Sequence, residues 1–216
     1  MVVAGGSASR FGSRKQFLQL DGRPVVAWSV AAARPVCDGV VVVVPPQPGP
    51  DPDGADTRAW GADLVVAGGT SRAASVRAGL AAVPASASVI VVHDAARPLA
   101  PASLFAEVVA ALSAGVDGAI PVLPVSDTLK RVSGDQVETT VDRSDLVAVQ
   151  TPQAFVAAVL RAAHASGEDA TDDAGLLEAS GATVRTVAGD PRNVKLTHPG
   201  DLAVAHALLS TVPVPR

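Results

Sequence analysis

The chain has 216 residues, a formal net charge of −4 and 48% hydrophobic residues, mostly alanine and valine, with 3% aromatic. That length suits one domain with its own core. The mild acidity and the lack of a dense basic run exclude bulk nucleic-acid binding. One cysteine, Cys37, excludes a disulfide framework and a cysteine-based zinc site, and no apolar run is long enough to span a membrane. With no visible secretory signal, these features predict a soluble cytoplasmic protein.

Val2 and Val3 read as the end of a strand. The stub is shorter than a mean strand of about 5–6 residues, so residues added before Met1 are expected to steady the loop it supports. Residues 4–16 form that loop, made of glycines and small residues and carrying Arg10, Arg14 and Lys15. Glycine lets the backbone approach a ligand closely. Successive exposed N–H groups make an anion-binding concavity, so the loop suits a polyphosphate. Its spacing fits neither the dinucleotide fingerprint nor the P-loop. The plainer reading is a turn with solvated basic residues.

Residues 23–34 read as the first helix, with Pro24 in its first turn. Residues 39–44 are a β-branched run of the kind buried on both faces of a parallel sheet. The proline-rich stretch 45–54 is a surface loop. A strand at 62–67 ends in Gly68 and Gly69 and leads into a helix from 71 to 83. The strand at 88–92 carries His93, Asp94 and Arg97 at its carboxyl end. A helix over 101–113 and a strand over 118–122 come next. Strands alternating with helices predict a three-layer α/β fold with a mostly parallel sheet.

The rhythm then changes. Residues 125–132 and 136–141, joined by Ser133-Gly134-Asp135, predict a polar β-hairpin inserted in the domain as an arm. Residues 146–150 resume the sheet, and Thr151-Pro152 is read as opening a helix to 165. Thr171-Asp172-Asp173 caps a helix that ends at Gly181. Late strands are expected over 183–187 and 193–196, and a last helix, capped by Thr197, through Leu209.

In open α/β sheets ligands bind beyond the carboxyl ends of the strands. Four polar clusters fall there: the opening loop; the turn of Gly69 with Arg72 and Ser75; Asp94 with Arg97; and Asn193 with Lys195. Asp94 is placed to hold Mg²⁺, with waters and phosphate oxygens completing the shell. Each has an ordinary alternative. Asp94 could pair with Arg97, Lys195 could snorkel, Thr151 and Thr171 could be helix caps, and Ser75 could sit on a helix face. Arg143 and Lys130 could be solvated. His93 reads as a satisfied core histidine with no role. The functional argument is their convergence on one sheet edge.

Taken together, these motifs resemble those of the bacterial 2-C-methyl-D-erythritol 4-phosphate cytidylyltransferases. The resemblance covers nearly the whole chain. It rests on the opening loop with Arg10, Lys15 and Gln16, on Gly68-Gly69 with Arg72, Ser75 and Val76, and on His93 through Pro98. It continues through Asp127 to Lys130, Val141 to Arg143, Gln150 to Phe155, Thr171 to Ala174, and Asn193 to Lys195. There are departures: Val3-Ala4-Gly5-Gly6 stands where the family has Pro-Ala-Ala-Gly, Ala8 where it has glycine, and Arg14 where proline precedes the lysine.

The resemblance implies a Rossmann-like nucleotidyltransferase fold and transfer of CMP from CTP to a polyol phosphate, with Mg²⁺ as cofactor. It implies that Arg10, Lys15 and Lys195 surround the CTP phosphates. Ala4, Gly5, Gly6, Gly69 and Ser75 would select cytosine, and Asp94 would serve nucleotide and metal. Arg97, Thr128, Arg143, Thr151 and Thr171 would form the acceptor site. It also implies a homodimer in which the arm, at about 125–145, brings Thr128 and Arg143 to the neighbour's site. The rivals are a ribitol 5-phosphate cytidylyltransferase, which would differ only in the acceptor pocket, and a catalytically idle nucleotide-binding regulator. The presence of Arg10, Lys15, Asp94 and Lys195 speaks against the latter.

Overall fold

The valine-rich strands form the middle of the molecule because their β-branched side chains pack on both sides of a pleated sheet. The computed structural model describes residues 1–5, 15–46, 60–165, 167 and 170–210. In chain order the elements are β1 (Val2–Val3), a 3₁₀ turn (Lys15–Phe17), β2 (Gln19–Leu20), β3 (Arg23–Pro24), α1 (Val25–Ala33), β4 (Val41–Val44), β5 (Leu64–Ala67), α2 (Arg72–Ala82) and β6 (Val89–Asp94). There follow α3 (Ala102–Ala110), β7 (Gly118–Pro124), β8 (Leu129–Ser133), β9 (Gln136–Val141), β10 (Val147–Val149), β11 (Gln153–Val156), α4 (Ala157–Ala165), α5 (Asp173–Ala179), β12 (Val184–Ala188) and α6 (Asp201–Ser210).

The main sheet runs β10-β7-β11-β6-β1-β4-β5, and β12 also pairs with β7. Strands β5, β4, β1 and β6 are parallel neighbours, as are β12 and β7. Side chains alternate between two cores. Val2, Val42 and Val91 face α1 and α3, meeting Val26, Val30, Phe105 and Val108. Val3, Val43, Ile90 and Val92 face α2, α4 and α5, meeting Val76, Leu80, Leu160 and Leu177. That alternation makes the three layers. Short as it is, β1 is stitched on both sides: Met1 N donates to Val91 O, Ala4 N to Val43 O and Ala95 N to Val3 O. Among the described residues no helix is long and apolar enough to cross a membrane.

Four expectations need correction. The helix expected from Thr151 begins only at Ala157, as α4; Gln153–Val156 is instead strand β11, antiparallel to both β6 and β7. Gln153, Ala154 and Phe155 are all buried, and buried backbone groups in mid-sheet must be paired with neighbouring strands. The first helix starts at Val25, because Arg23–Pro24 pairs with Gln19–Leu20. Asp21 and Gly22 both sit at positive φ (51° and 72°), the backbone a two-residue hairpin turn requires. Residues 193–196 form no strand; Leu196 N simply donates to Ala96 O. The last helix starts at Asp201, whose carboxylate accepts from Thr197 N and His198 N. The hairpin of β8 and β9 forms as expected, as its own two-stranded sheet. Most of the proline-rich loop lies outside the described residues.

Candidate active site

The reversed direction of β11 sets up the site. It brings Gln150, Thr151 and Gln153, at the start of β11, to the edge where β6 ends in Asp94. Asp94 N donates to Thr151 Oγ1 (3.0 Å), whose hydroxyl donates to His93 Nδ1 (3.1 Å). With Nδ1 accepting, the other ring nitrogen carries the proton and donates to Arg97 O (3.1 Å). His93 is fully buried, and that burial lowers its pKa from 6.5 to about 4, so the ring is neutral. The residue given no role in the sequence therefore ties together three that were given one.

Asp94 faces a cleft of about 380 Å³ whose walls include Arg72, Arg97, Thr151, Thr171 and Lys195. Lys195 Nζ donates to Asp94 Oδ2 at 2.7 Å, and Arg72 lies 3.4 Å from Oδ1. Burial alone would raise the Asp94 pKa; Arg72 and then Lys195 overcome it and hold the carboxyl well below its usual range. Arg97 Nη1 donates to Asn193 O (2.8 Å) and Nη2 to Val149 O (3.3 Å). Asn193, wholly buried, donates in turn to Thr151 O (2.8 Å). Gln150 donates to Asp190 O (2.9 Å) and accepts from Asp190 N (3.1 Å), which fastens the segment carrying Lys195 to the cleft floor.

Five expected residues thus share one cleft: Asp94, Arg97, Thr151, Thr171 and Lys195. Others lie elsewhere. Ser75 is fully buried; its hydroxyl accepts from Gly69 N (3.2 Å) and donates to Ser71 O (2.9 Å). A Cβ on Gly5 would stand 2.6 Å from Ser75 Oγ, and one on Gly69 2.4 Å from the Ala74 Cβ. These glycines let the ends of β1 and β5 press against the first turn of α2, so their first use is packing. Ala4 O accepts from buried Gln16 Nε2 (2.7 Å), which anchors the far end of the opening loop. Asp201, whose carboxyl is held below its usual range by the His198 and Thr197 N–H groups, also feels the charge of Lys15. Gly6 and Arg10 lie outside the described residues. Thr128 and Arg143 belong to the exposed arm, where Arg143 donates to Val125 O and Asp127 O.

Sequence reasoning gave no role to Gln150, Gln153 or His164, named Asn193 only as part of a polar cluster and Asp173 only as part of a helix cap. The readable signal was amide and acidic residues inside apolar stretches, which are buried only when hydrogen-bonded. As for a metal, no group of three or more potential ligands exists among the described residues. The donor set still fits Mg²⁺. That ion keeps several waters and binds through one or two carboxylates plus substrate phosphates, and Asp94 offers one such carboxylate among cations suited to phosphate.

The cleft over the carboxyl edge of this α/β sheet is lined by Arg72, Arg97 and Lys195 and by Asp94, Asp172 and Glu178, cations that suit phosphates beside carboxylates that suit a divalent ion, as a nucleotidyltransferase requires. The family profile of 2-C-methyl-D-erythritol 4-phosphate cytidylyltransferase matches residues 1–211, and the chain belongs to that family. It is 45% identical to the Nocardia farcinica enzyme of that name, over 97% of this chain and 92% of that one. It is 44% identical to a bifunctional IspD/IspF enzyme of Solidesulfovibrio magneticus, over 99% of this chain but 58% of that protein's length. The crystal structure of the Thermus thermophilus cytidylyltransferase superposes with a TM-score of 0.81 at 38% identity, covering 97% of this chain and 98% of that one.

Proposed function

We propose that this chain transfers CMP from CTP to 2-C-methyl-D-erythritol 4-phosphate and releases pyrophosphate. The observation that carries the reading is the convergence of Asp94, Arg97, Thr151 and Lys195 on one cleft. In the reaction an acceptor phosphate oxygen attacks the α-phosphorus of CTP. The bond from the α-phosphorus to the bridging oxygen breaks, and its electron pair leaves with pyrophosphate. The attacking monoester already carries roughly −1.5 to −2 charges near neutral pH, so no general base is required. What the reaction needs is positioning and fixed positive charge. Arg97 grips the acceptor phosphate, with Thr151 and Thr171 beside it. Lys195, joined by Arg10 and Lys15, stabilises charge on the triphosphate. Ala4, Gly5, Gly6, Gly69 and Ser75 select cytosine over a purine in this reading, because small residues permit close approach of a base. Asp94 holds Mg²⁺, which supplies charge neutralisation at the phosphates.

The active unit in this reading is a homodimer, in which the arm carries Thr128 and Arg143 to the partner's acceptor site. Small, charged, water-soluble substrates and a lone cysteine favour a cytoplasmic location. Pyrophosphate release tests the reading. It is expected with CTP and methylerythritol phosphate, to fall steeply with ATP or ribitol 5-phosphate, and to stop with excess chelator. Equal use of ATP, or full turnover in chelator, refutes the nucleotide and metal assignments. Preference for ribitol 5-phosphate refutes the acceptor.

A further inference from the structure

Behind the cleft, one guanidinium is shared between two carboxylates. Arg72 Nη2 lies 2.9 Å from Asp173 Oδ2 in an ion pair without hydrogen-bond geometry, whereas its Nε and Nη2 reach Asp94 Oδ1 in two long hydrogen bonds of 3.4 Å. The other Asp173 oxygen is held by His164 at 2.9 Å, and both those side chains are almost wholly buried, at 1% and 2% exposure. Burying a carboxylate costs several kcal/mol unless it is well paired. Arg72 is also badly placed by local rules. It is the first residue of α2, where the helix dipole disfavours a cation. A cation at the start of a helix, held there beside a buried carboxylate, is the kind of local conflict that functional sites retain. The proposed chemistry leaves His164 and Asp173 unused, yet they are linked through Arg72 to the carboxylate assigned to the metal.

We propose that Asp173 is a positioning residue that holds Arg72 at the long distance of 3.4 Å from Asp94 Oδ1, so that a divalent cation can displace it there. The inference rests on the assignment of Asp94 to the metal. Without Asp173, the guanidinium loses its nearer carboxylate and closes on Asp94, which then meets the metal already neutralised by two protein cations. His164 acts one step further back, by donating to Asp173 and fixing its orientation. A purely structural tie among α2, α4 and α5 would lower the melting temperature and leave cation affinity untouched.

The test is Mn²⁺ binding, read by water-proton relaxation, to protein saturated with a non-hydrolysable CTP analogue. Asp94→Asn is the control; if it binds Mn²⁺ like the parent, the metal assignment itself fails and this inference with it. If Asp94→Asn weakens binding, Asp173→Asn is expected to weaken it about tenfold, the scale of one close charge contact in a partly screened site. Adding Arg72→Gln to Asp173→Asn is expected to restore affinity, because the released cation is gone. Parent-like binding by Asp173→Asn, or a double variant as weak as the single, overturns the proposal. Should Asp173→Asn not fold, the His164 variants decide. His164→Gln keeps an N–H donor and should bind Mn²⁺ like the parent, whereas His164→Leu should bind more weakly. Equal binding by those two overturns it.

Discussion

In the neutral His93 ring Nε2 donates to Arg97 O, which leaves Nδ1 to accept from Thr151 Oγ1, itself the acceptor for Asp94 N. The unfolded chain takes up a proton at its ordinary pKa of 6.5, the folded protein only at about 4. Between those values the unfolded state binds more protons, so stability is full above pH 6.5 and is lost as pH falls toward 4. At pH 5 the loss is about 2 kcal/mol, measurable by urea unfolding at pH 5 and 7. A His93→Gln protein should lack that pH dependence, and a slope that survives the substitution assigns it to other groups. Lys195 makes the opposite kind of contact. Its side chain is 45% exposed, and bridges of that kind contribute at most about 1 kcal/mol. Lys195→Ala should therefore leave stability within about 1 kcal/mol of the parent. Losing a cation aimed at developing charge should lower turnover by roughly 10²–10³. Steady-state kinetics beside a thermal melt separates the two effects, and near-parental turnover would make Lys195 a solvated lysine.

The elements whose residues repeat an ordinary rhythm were legible. Valine runs became β4 and β6, and the helix expected from residue 71 formed as α2, with the Ser71 side chain accepting from Ala74 N as its cap. β11 was not, because Gln153 to Val156 runs straight into α4 with no turn residue between them. Only its pairing with β6 and β7 makes it a strand, and a single sequence does not display that non-local contact. The β2–β3 hairpin was legible in principle, since Asp21-Gly22 is a strong hairpin signal, but Pro24 also suits a helix start and drew the boundary too early. In the site, charged residues stood out, whereas the buried amides that align them did not, because their value depends on partners 40 or more residues away. The glycine loops were legible as places of close approach, but not what approaches. For Gly5 it is the Ser75 hydroxyl, 2.6 Å from where an added Cβ would stand. Gly5→Ala should cost about 1–3 kcal/mol by overpacking. Combining it with Ser75→Ala, which removes the clashing oxygen, should cost less than the sum of the single changes. Additive losses in chemical unfolding would place the strain elsewhere.

The arm poses the question of how many chains make one site. Among the described residues, strands β8 and β9 pair only with each other, and an isolated two-stranded hairpin is marginally stable at best. Val132 and Val137 on it are 58% and 62% exposed, and nearby Leu146 and Val147 are 40% and 46% exposed. Apolar side chains on and beside a hairpin with no surface of its own call for a covering surface. A second copy related by a twofold axis would supply it and bury both arms at once. Arg143 also sits on the arm rather than in the cleft of its own chain, so its guanidinium, which can grip phosphate oxygens bidentately, is available to a partner's acceptor site. Two inactive variants decide whether it acts there. Lys15→Ala and Arg143→Ala are each expected to be nearly inactive, and they are refolded together in equal amounts. If Arg143 serves the partner's site, every mixed dimer has one site with both lesions and one with neither. With half the dimers mixed, activity returns to about a quarter of the parent rate. If Arg143 serves its own chain, every site keeps one lesion and the mixture stays as inactive as its components. Inactivity in a sample shown by native mass spectrometry to contain mixed dimers would rule out the shared site, and sedimentation as a monomer would rule out the dimer.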